Sequence, residues 1–181
     1  MDLGDKRRNK RAIKMMEGFS AMPTASIPQA CGDWADTMGA YRFFENDTFE
    51  WADILQPHIQ SSMGRMATHE VVLCIQDTTE LDFNGQQAPG LGPLSYEAQR
   101  GMYLHPTYAV STAREPLGVL DAWMWARQAK KGDGTRPGVS ESLRWTEGYE
   151  RLAEIAPLLP QTRLVYLADR EADIMELMVR A

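Results

Sequence analysis

Cysteine and histidine are scarce in this chain, and it has no long apolar run. The two cysteines, Cys31 and Cys74, fall in different expected elements and show no paired metal spacing, so a reduced cytoplasmic setting is the simpler reading. Cys74 reads as a small core residue. Of the three histidines, His58 and His69 have no partners at metal spacing, and His105 follows a strand-like run as a semi-buried core residue. No stretch is long and apolar enough to cross a bilayer, and the amino terminus is polar and basic rather than signal-like, so no membrane is expected. The glycines at 85, 90 and 92 match no phosphate-binding loop, because no Gly-Lys-Ser/Thr or Gly-x-Gly-x-x-Gly follows a strand. No Ser–His–Asp arrangement, internal repeat or low-complexity tract is visible.

What is present is an ordinary globular composition, 44% hydrophobic and 24% charged, in 181 residues. That length fits one medium domain, or a small domain with a larger one. The net charge of −6 argues against a surface that coats nucleic acid throughout. Yet Lys6, Arg7, Arg8, Lys10, Arg11 and Lys14 crowd one short segment, a local basic footprint on an otherwise acidic chain.

Residues 4 to about 66 read as helical. Asp5 can cap a helix running to Gly18, with Ala12, Ile13 and Met16 as its apolar stripe. Pro23 and Pro28 interrupt. A second helix from Asp33 to about Glu45 carries Trp34, Met38, Tyr41 and Phe44 toward a core. Thr48 caps a third, where Trp51, Ile54, Leu55, His58 and Ile59 recur at helical spacing. The expected boundaries are residues 1–67 for this all-α module and 68–181 for a second, strand-containing domain.

From Val71 the period changes. Val71 to Ile75 is an apolar, β-branched run that reaches Asp77, and Leu164 to Ala168 is a second that reaches Asp169. Between them lie a Gly/Pro-rich loop from Asn84 to Pro93, two antiparallel strands (102–112 and 117–127) with Trp123 and Trp125 packed on one core face, a polar stretch from Lys130 to Gly138, and a helix from about Glu141 to Ile155. A last helix from Glu171 runs to the end of the chain. Ligands of open α/β sheets collect at the carboxyl ends of strands, and two aspartates facing each other there can hold a divalent metal through oxygen. Taken singly, Asp77 is also a turn former and Asp169 a helix cap. Three hairpin-linked strands, then a helical crossover to a fourth, is how the ribonuclease H-like fold begins. A right-handed crossover would make the first and fourth strands parallel neighbours.

Leu3-Gly4-Asp5-Lys6-Arg7-Arg8, Gly39-Ala40-Tyr41-Arg42-Phe43-Phe44, Asp77-Thr78-Thr79, Gly90-Leu91-Gly92-Pro93, Glu141-Ser142-Leu143-Arg144-Trp145 and Asp169-Arg170-Glu171-Ala172-Asp173 occur in this order. The ordered set resembles the bacterial cut-and-paste DDE transposases of the transposon-five kind, from the insertion-sequence-four group. The resemblance spans Leu3 to the final helix. It implies an α/β chain: a small all-α DNA-binding module that grips double-stranded DNA at transposon ends, then an incomplete ribonuclease H-like core. It further implies a synaptic homodimer, a cytoplasmic, nucleoid-associated setting, and Mg²⁺ (or Mn²⁺) on an Asp-Asp-Glu set.

Asp77 matches the first carboxylate and Asp169 the second, as metal ligands and catalytic residues. The third, a glutamate within a Tyr-Arg-Glu-Lys signature, has no match before Ala181, so the expectation is a truncated and inactive transposase. The DNA-binding expectation falls on Lys6, Arg7, Arg8, Lys10, Arg11 and Arg42. Arg42 could equally pack its stem over aromatic neighbours. Two other readings stand beside it: a DNA-binding remnant or inhibitor without catalysis, and a nuclease recruiting Glu171 or Asp173 as its third acid.

Overall fold

Asp5 accepts the N–H of Arg7 at 2.7 Å and so starts α1 (Lys6–Ala21) in the computed structural model, which describes residues 1–83, 85–86 and 88–180. A short α2 (Ile27–Cys31) follows, where Gln29 Oε1 accepts the N–H of Ser26 at 3.0 Å. Pro28, expected to interrupt, sits instead in the first turn of α2, where its missing N–H is no loss. Asp33 caps α3 (Trp34–Phe44) by accepting from Asp36 N at 2.7 Å.

The buried side of α3 is not the expected one. Thr37, Ala40 and Phe43 are buried, whereas Trp34, Tyr41 and Phe44 are exposed, Trp34 by 76%. One residue step turns a helix by about 100°, so a stripe shifted by one position faces another way. Small residues made the difference. Ala40 is fully covered, and a Cβ on Gly39 would lie 2.6 Å from the guanidinium carbon of Arg11, so α1 and α3 approach closely on that side. Leu3, Ala12, Met15, Ala40 and Phe43 form this core, bordered by Phe19, Ile27, Phe49 and Ile54.

Helix α4 (Trp51–Met66) begins three residues beyond Thr48. Asp53 accepts the N–H of Glu50 at 2.8 Å, and Thr48 bonds Asn46 instead of capping. The chain divides into two compact units, Met1–Pro57 and His58–Ala181, so the division between compact units lies inside α4. Met66 explains why the end of α4 belongs to the second unit. It is fully buried with Val72, Cys74, Ala109, Leu120 and Leu152.

The second unit is a mixed sheet with helices, α/β as expected. Its strands are β1 (Val71–Gln76), β2 (Thr79–Asp82), β3 (Gly92–Pro93), β4 (Arg100–Ser111), β5 (Pro116–Trp125) and β6 (Arg163–Leu167). The path runs β2-β4-β1-β6, with β5 and β3 also on β4. Helix α5 (Leu143–Ile155) and a 3-10 turn (Ala156–Leu158) lead to β6, which pairs parallel with β1. The expected parallel neighbours are present.

Strands β2 and β3 were not expected. Thr79–Asp82 has one apolar residue and exposed edges, and it is a strand only because the twelve-residue β4 is long enough to pair it. The expected loop from Asn84 begins on a residue outside those described. A 3-10 turn (Arg170–Ala172) and α6 (Met175–Arg180) replace the continuous helix expected from Glu171, whose end at residue 181 is also outside the described residues.

Val72, Cys74 and Gln76 point to the α5 side of the sheet. There Gln76 Nε2 donates to Thr107 Oγ1 at 2.6 Å and Gln76 Oε1 accepts from Tyr166 at 2.9 Å, so a buried amide is satisfied from two strands. Burial alone pushes the Tyr166 hydroxyl up to about 12 and the Cys74 thiol up to about 11. Gly148 of α5 makes room for the amide, since a Cβ there would stand 1.6 Å from Gln76 Nε2. Gly148→Ala should therefore lower stability by about 2 kcal/mol, because overpacking and a broken buried bond outweigh the roughly 1 kcal/mol helix gain of alanine. Urea unfolding checks this, and an equal or higher stability of the variant would refute the packing argument.

Candidate functional site

The acid-bearing end of the sheet is built around a gap. Gln76 pairs with Thr107 and Thr79 with Leu104, one continuous register, so Asp77 and Thr78 stand opposite Pro106 and His105 as the two interrupted positions. Pro106 has no N–H to give the carbonyl of Asp77, and the ladder stops on both sides of it. On the other side of β1, pairing with β6 ends at Ile75 and Leu167. Asp77 and Asp169 each lie two residues past that last pair, at equivalent positions on parallel neighbours.

Both aspartates are exposed. Asp77 Oδ1 accepts from Thr78 N at 2.7 Å, and Asp169 Oδ1 accepts from Glu171 N at 2.8 Å. Asp169 thereby caps the 3-10 turn, Asp77 binds the N–H of its own successor, and the other oxygen of each is uncommitted among the described residues. Among the described residues no group of three His, Cys, Asp or Glu is arranged to hold a metal. Glu171 takes a hydrogen bond from Arg144 at 2.8 Å, and Asp173 lies beyond the 3-10 turn.

Behind the aspartates lies a polar cluster that sequence reasoning did not assemble. Thr78 Oγ1 is 2.9 Å from His105 Nδ1 and accepts from Arg144 Nε at 3.1 Å. His105 is buried, edge-on to Trp145 at 4.3 Å between ring centroids. Burial, reinforced by the Arg144 cation, pushes its pKa down to about 4, while Asp77 and Asp169 both act on it in the opposite sense. Both carboxylates thus lie close enough to His105 to influence its charge. Arg144 itself is 7% exposed, and an arginine between Leu143 and Trp145 in an apolar stripe was the available signal.

Trp123 and Trp125 are half-buried and not core residues. Trp125 stacks on Tyr103 at 5.1 Å, and both tryptophans line an open cleft of about 1010 Å³ with Arg127, Lys130, Arg136 and Glu141. Its cations are matched: Arg127 makes two bonds to Glu141, at 2.5 and 2.7 Å, while Lys130 and Arg136 share Glu97. The cleft contains neither aspartate.

In the first unit the basic residues separate into two groups. Arg11 binds Asp36 at 2.7 Å and Lys14 binds the same carboxylate, which holds Asp36 below its ordinary pKa. Arg8 donates to the carbonyl of Leu3 at 2.8 Å and to Thr48. These three side chains tie the module together. Lys6, Arg7, Lys10 and Arg42 are exposed. The Arg7 side chain is 93% exposed and pairs with Asp5, and the other three form no ion pair among the described residues.

The histidine carries a pH consequence. Its folded pKa, about 4, lies below the ordinary 6.5, so between those values the unfolded chain binds the proton that the folded chain refuses. Stability should fall as pH drops from 6.5 toward 4, by at most about 1.4 kcal/mol per pH unit from this group. Urea unfolding in metal-free buffer measures it, and a His105→Gln protein should show a flatter profile. An identical slope in both proteins would contradict the assignment.

No helix among the described residues is long and apolar enough to cross a membrane. Residues 1–49 match the family model for transposase DNA-binding domains, which supports a role in DNA binding and transposition with DNA as the partner.

Proposed function

We propose that these residues are the DNA-gripping module and acid-bearing sheet of a cut-and-paste DDE transposase of the transposon-five kind, insertion-sequence-four group. The observation that carries the reading is the match of residues 1–49 to transposase DNA-binding domains, on a unit whose first helix presents exposed cations. The parallel β1–β6 pair beside antiparallel β4 and β5 supports a ribonuclease H-like core. In this reading the partner is double-stranded DNA at transposon ends, held by two copies of the chain in a synaptic complex.

Asp77 and Asp169 fit one divalent ion: two hard oxygen donors, exposed, each with an uncommitted oxygen, in the small number Mg²⁺ uses beside water and phosphate. They do not fit the two-ion set, which needs a third acid, and among the described residues none joins them. When bound, Mg²⁺ (or Mn²⁺) would supply charge stabilisation at a scissile phosphate and an activated water. The chain's own groups hold the two carboxylates apart from the sheet and keep a neutral imidazole behind them. Two acids without the third lack the positioning on which in-line attack depends. The 181-residue chain therefore binds DNA and does not cut it alone.

DNA binding tests the first half. With a short random-sequence duplex, log affinity should fall linearly with log salt, and Lys6→Ala/Arg7→Ala/Lys10→Ala should flatten that slope by about one for each removed cation that had neutralised a phosphate. An unchanged slope and affinity would remove the assignment of these cations to DNA. Arg11→Ala is expected to lower stability instead, since Asp36 loses one of its two cationic partners.

Nicking tests the second half. Supercoiled plasmid with Mg²⁺ or Mn²⁺ should stay intact in the presence of the 181-residue chain while DNA binding persists. Cleavage that disappears in Asp77→Ala would overturn the inactive reading and favour recruitment of another acid.

A further inference from the structure

Arg144 is the most thoroughly bonded buried charge in the second unit, and its bonds lead to both aspartates. Its Nε donates to Thr78 Oγ1 at 3.1 Å, and Thr78 is the residue after Asp77, inside the gap opposite Pro106 and His105. Its Nη2 donates to Glu171 Oε2 at 2.8 Å, and the N–H of that same Glu171 binds Asp169 Oδ1 at 2.8 Å. Nη1 donates to the main-chain oxygen of Glu141 at the start of α5. The guanidinium lies over the rings of Trp125 and Trp145, 5.2 and 5.4 Å from their centroids.

Burying a cation is costly unless it is paired and hydrogen-bonded. Three partners on three segments, plus two aromatic faces, meet that demand and fix the planar group on every side. A lysine ammonium has no such fork and could not serve Thr78, Glu171 and Glu141 in one plane. The arginine thus links the Asp77–Thr78 gap to the 3-10 turn after Asp169, two segments that share no ladder, since β1 and β6 part at Ile75 and Leu167.

We propose that Arg144 is a positioning residue for the acid pair: it clamps the Asp77–Thr78 gap to the Asp169–Glu171 turn and so sets the separation of the two carboxylates. The proposal rests on the reading that Asp77 and Asp169 hold a divalent ion. Arg144 touches neither the ion nor the DNA. It acts through Thr78 on one acid and through Glu171 on the other.

The test is Mn²⁺ binding by the full 181-residue chain, read by electron paramagnetic resonance of free Mn²⁺, with thermal melting of each variant in metal-free buffer. Thr78→Val removes one end of the clamp and Glu171→Gln takes the charge from the other, both at sites where the fold should survive, and Arg144→Lys removes the fork. Wild type should bind Mn²⁺ and Asp77→Ala should not. Each clamp variant should bind about tenfold more weakly, the scale at which groups behind metal ligands act. Glu171→Gln should do so without a lower melting temperature, which a merely structural arginine would not produce. The rise in melting temperature on adding Mn²⁺ should shrink in parallel.

Failure of wild type to bind Mn²⁺, or equal binding by Asp77→Ala, would overturn the metal reading and the clamp with it. Binding that depends on Asp77 but is unchanged in Glu171→Gln, Thr78→Val and Arg144→Lys would overturn the clamp alone.

Discussion

Pro106 stands in β4 where any other residue would carry the ladder from β1 straight into β2. The register on either side is the same, so nothing but the two positions opposite Pro106 and His105 prevents one long strand. Withholding one N–H frees the backbone around Asp77 and Thr78 to leave the sheet. Asp77 then accepts the N–H of Thr78, Thr78 turns its hydroxyl to His105 and Arg144, and Gln76 is the last side chain of β1 in the buried network. The buried histidine, the buried arginine and the two exposed acids are all arranged around that interruption.

The parallel β1–β6 pair and the positions of Asp77 and Asp169 at its ends were legible because each depends on a local pattern: an apolar run, then a polar stop, then a crossover helix. Strand β2 was not, because nothing in Thr79–Asp82 favours a strand except the length of its partner. The cluster behind the acids was hidden for a related reason. Thr78, His105, Arg144 and Glu171 come from four separate segments, and no spacing along the chain brings them together. Pro106 was visible as a residue but not as an interruption, since its effect exists only once the register is known.

In the amino-terminal unit, charge type was legible and charge role was not. A run of cations reads as one face, yet Arg8, Arg11 and Lys14 are tied to Leu3, Thr48 and Asp36, while Lys6, Arg7 and Lys10 stay exposed. Periodicity could not separate them, because the partners Asp36 and Thr48 lie on other segments. The same closeness of α1 and α3 explains the shifted face of α3. Apolar size suggested the aromatic stripe as the inner one, but the small residues at Gly39 and Ala40 allow the nearer approach.

That outward turn of α3 has an optical consequence. The first unit holds two of the five tryptophans, Trp34 and Trp51, both exposed, while the second holds Trp145 fully enclosed and Trp123 and Trp125 half-covered. Solvent-exposed indoles emit at longer wavelength and meet aqueous quenchers, and enclosed ones do neither. The two units of this chain therefore differ in intrinsic fluorescence, redder and more quenchable from the first, bluer and in part shielded from the second, with no label added.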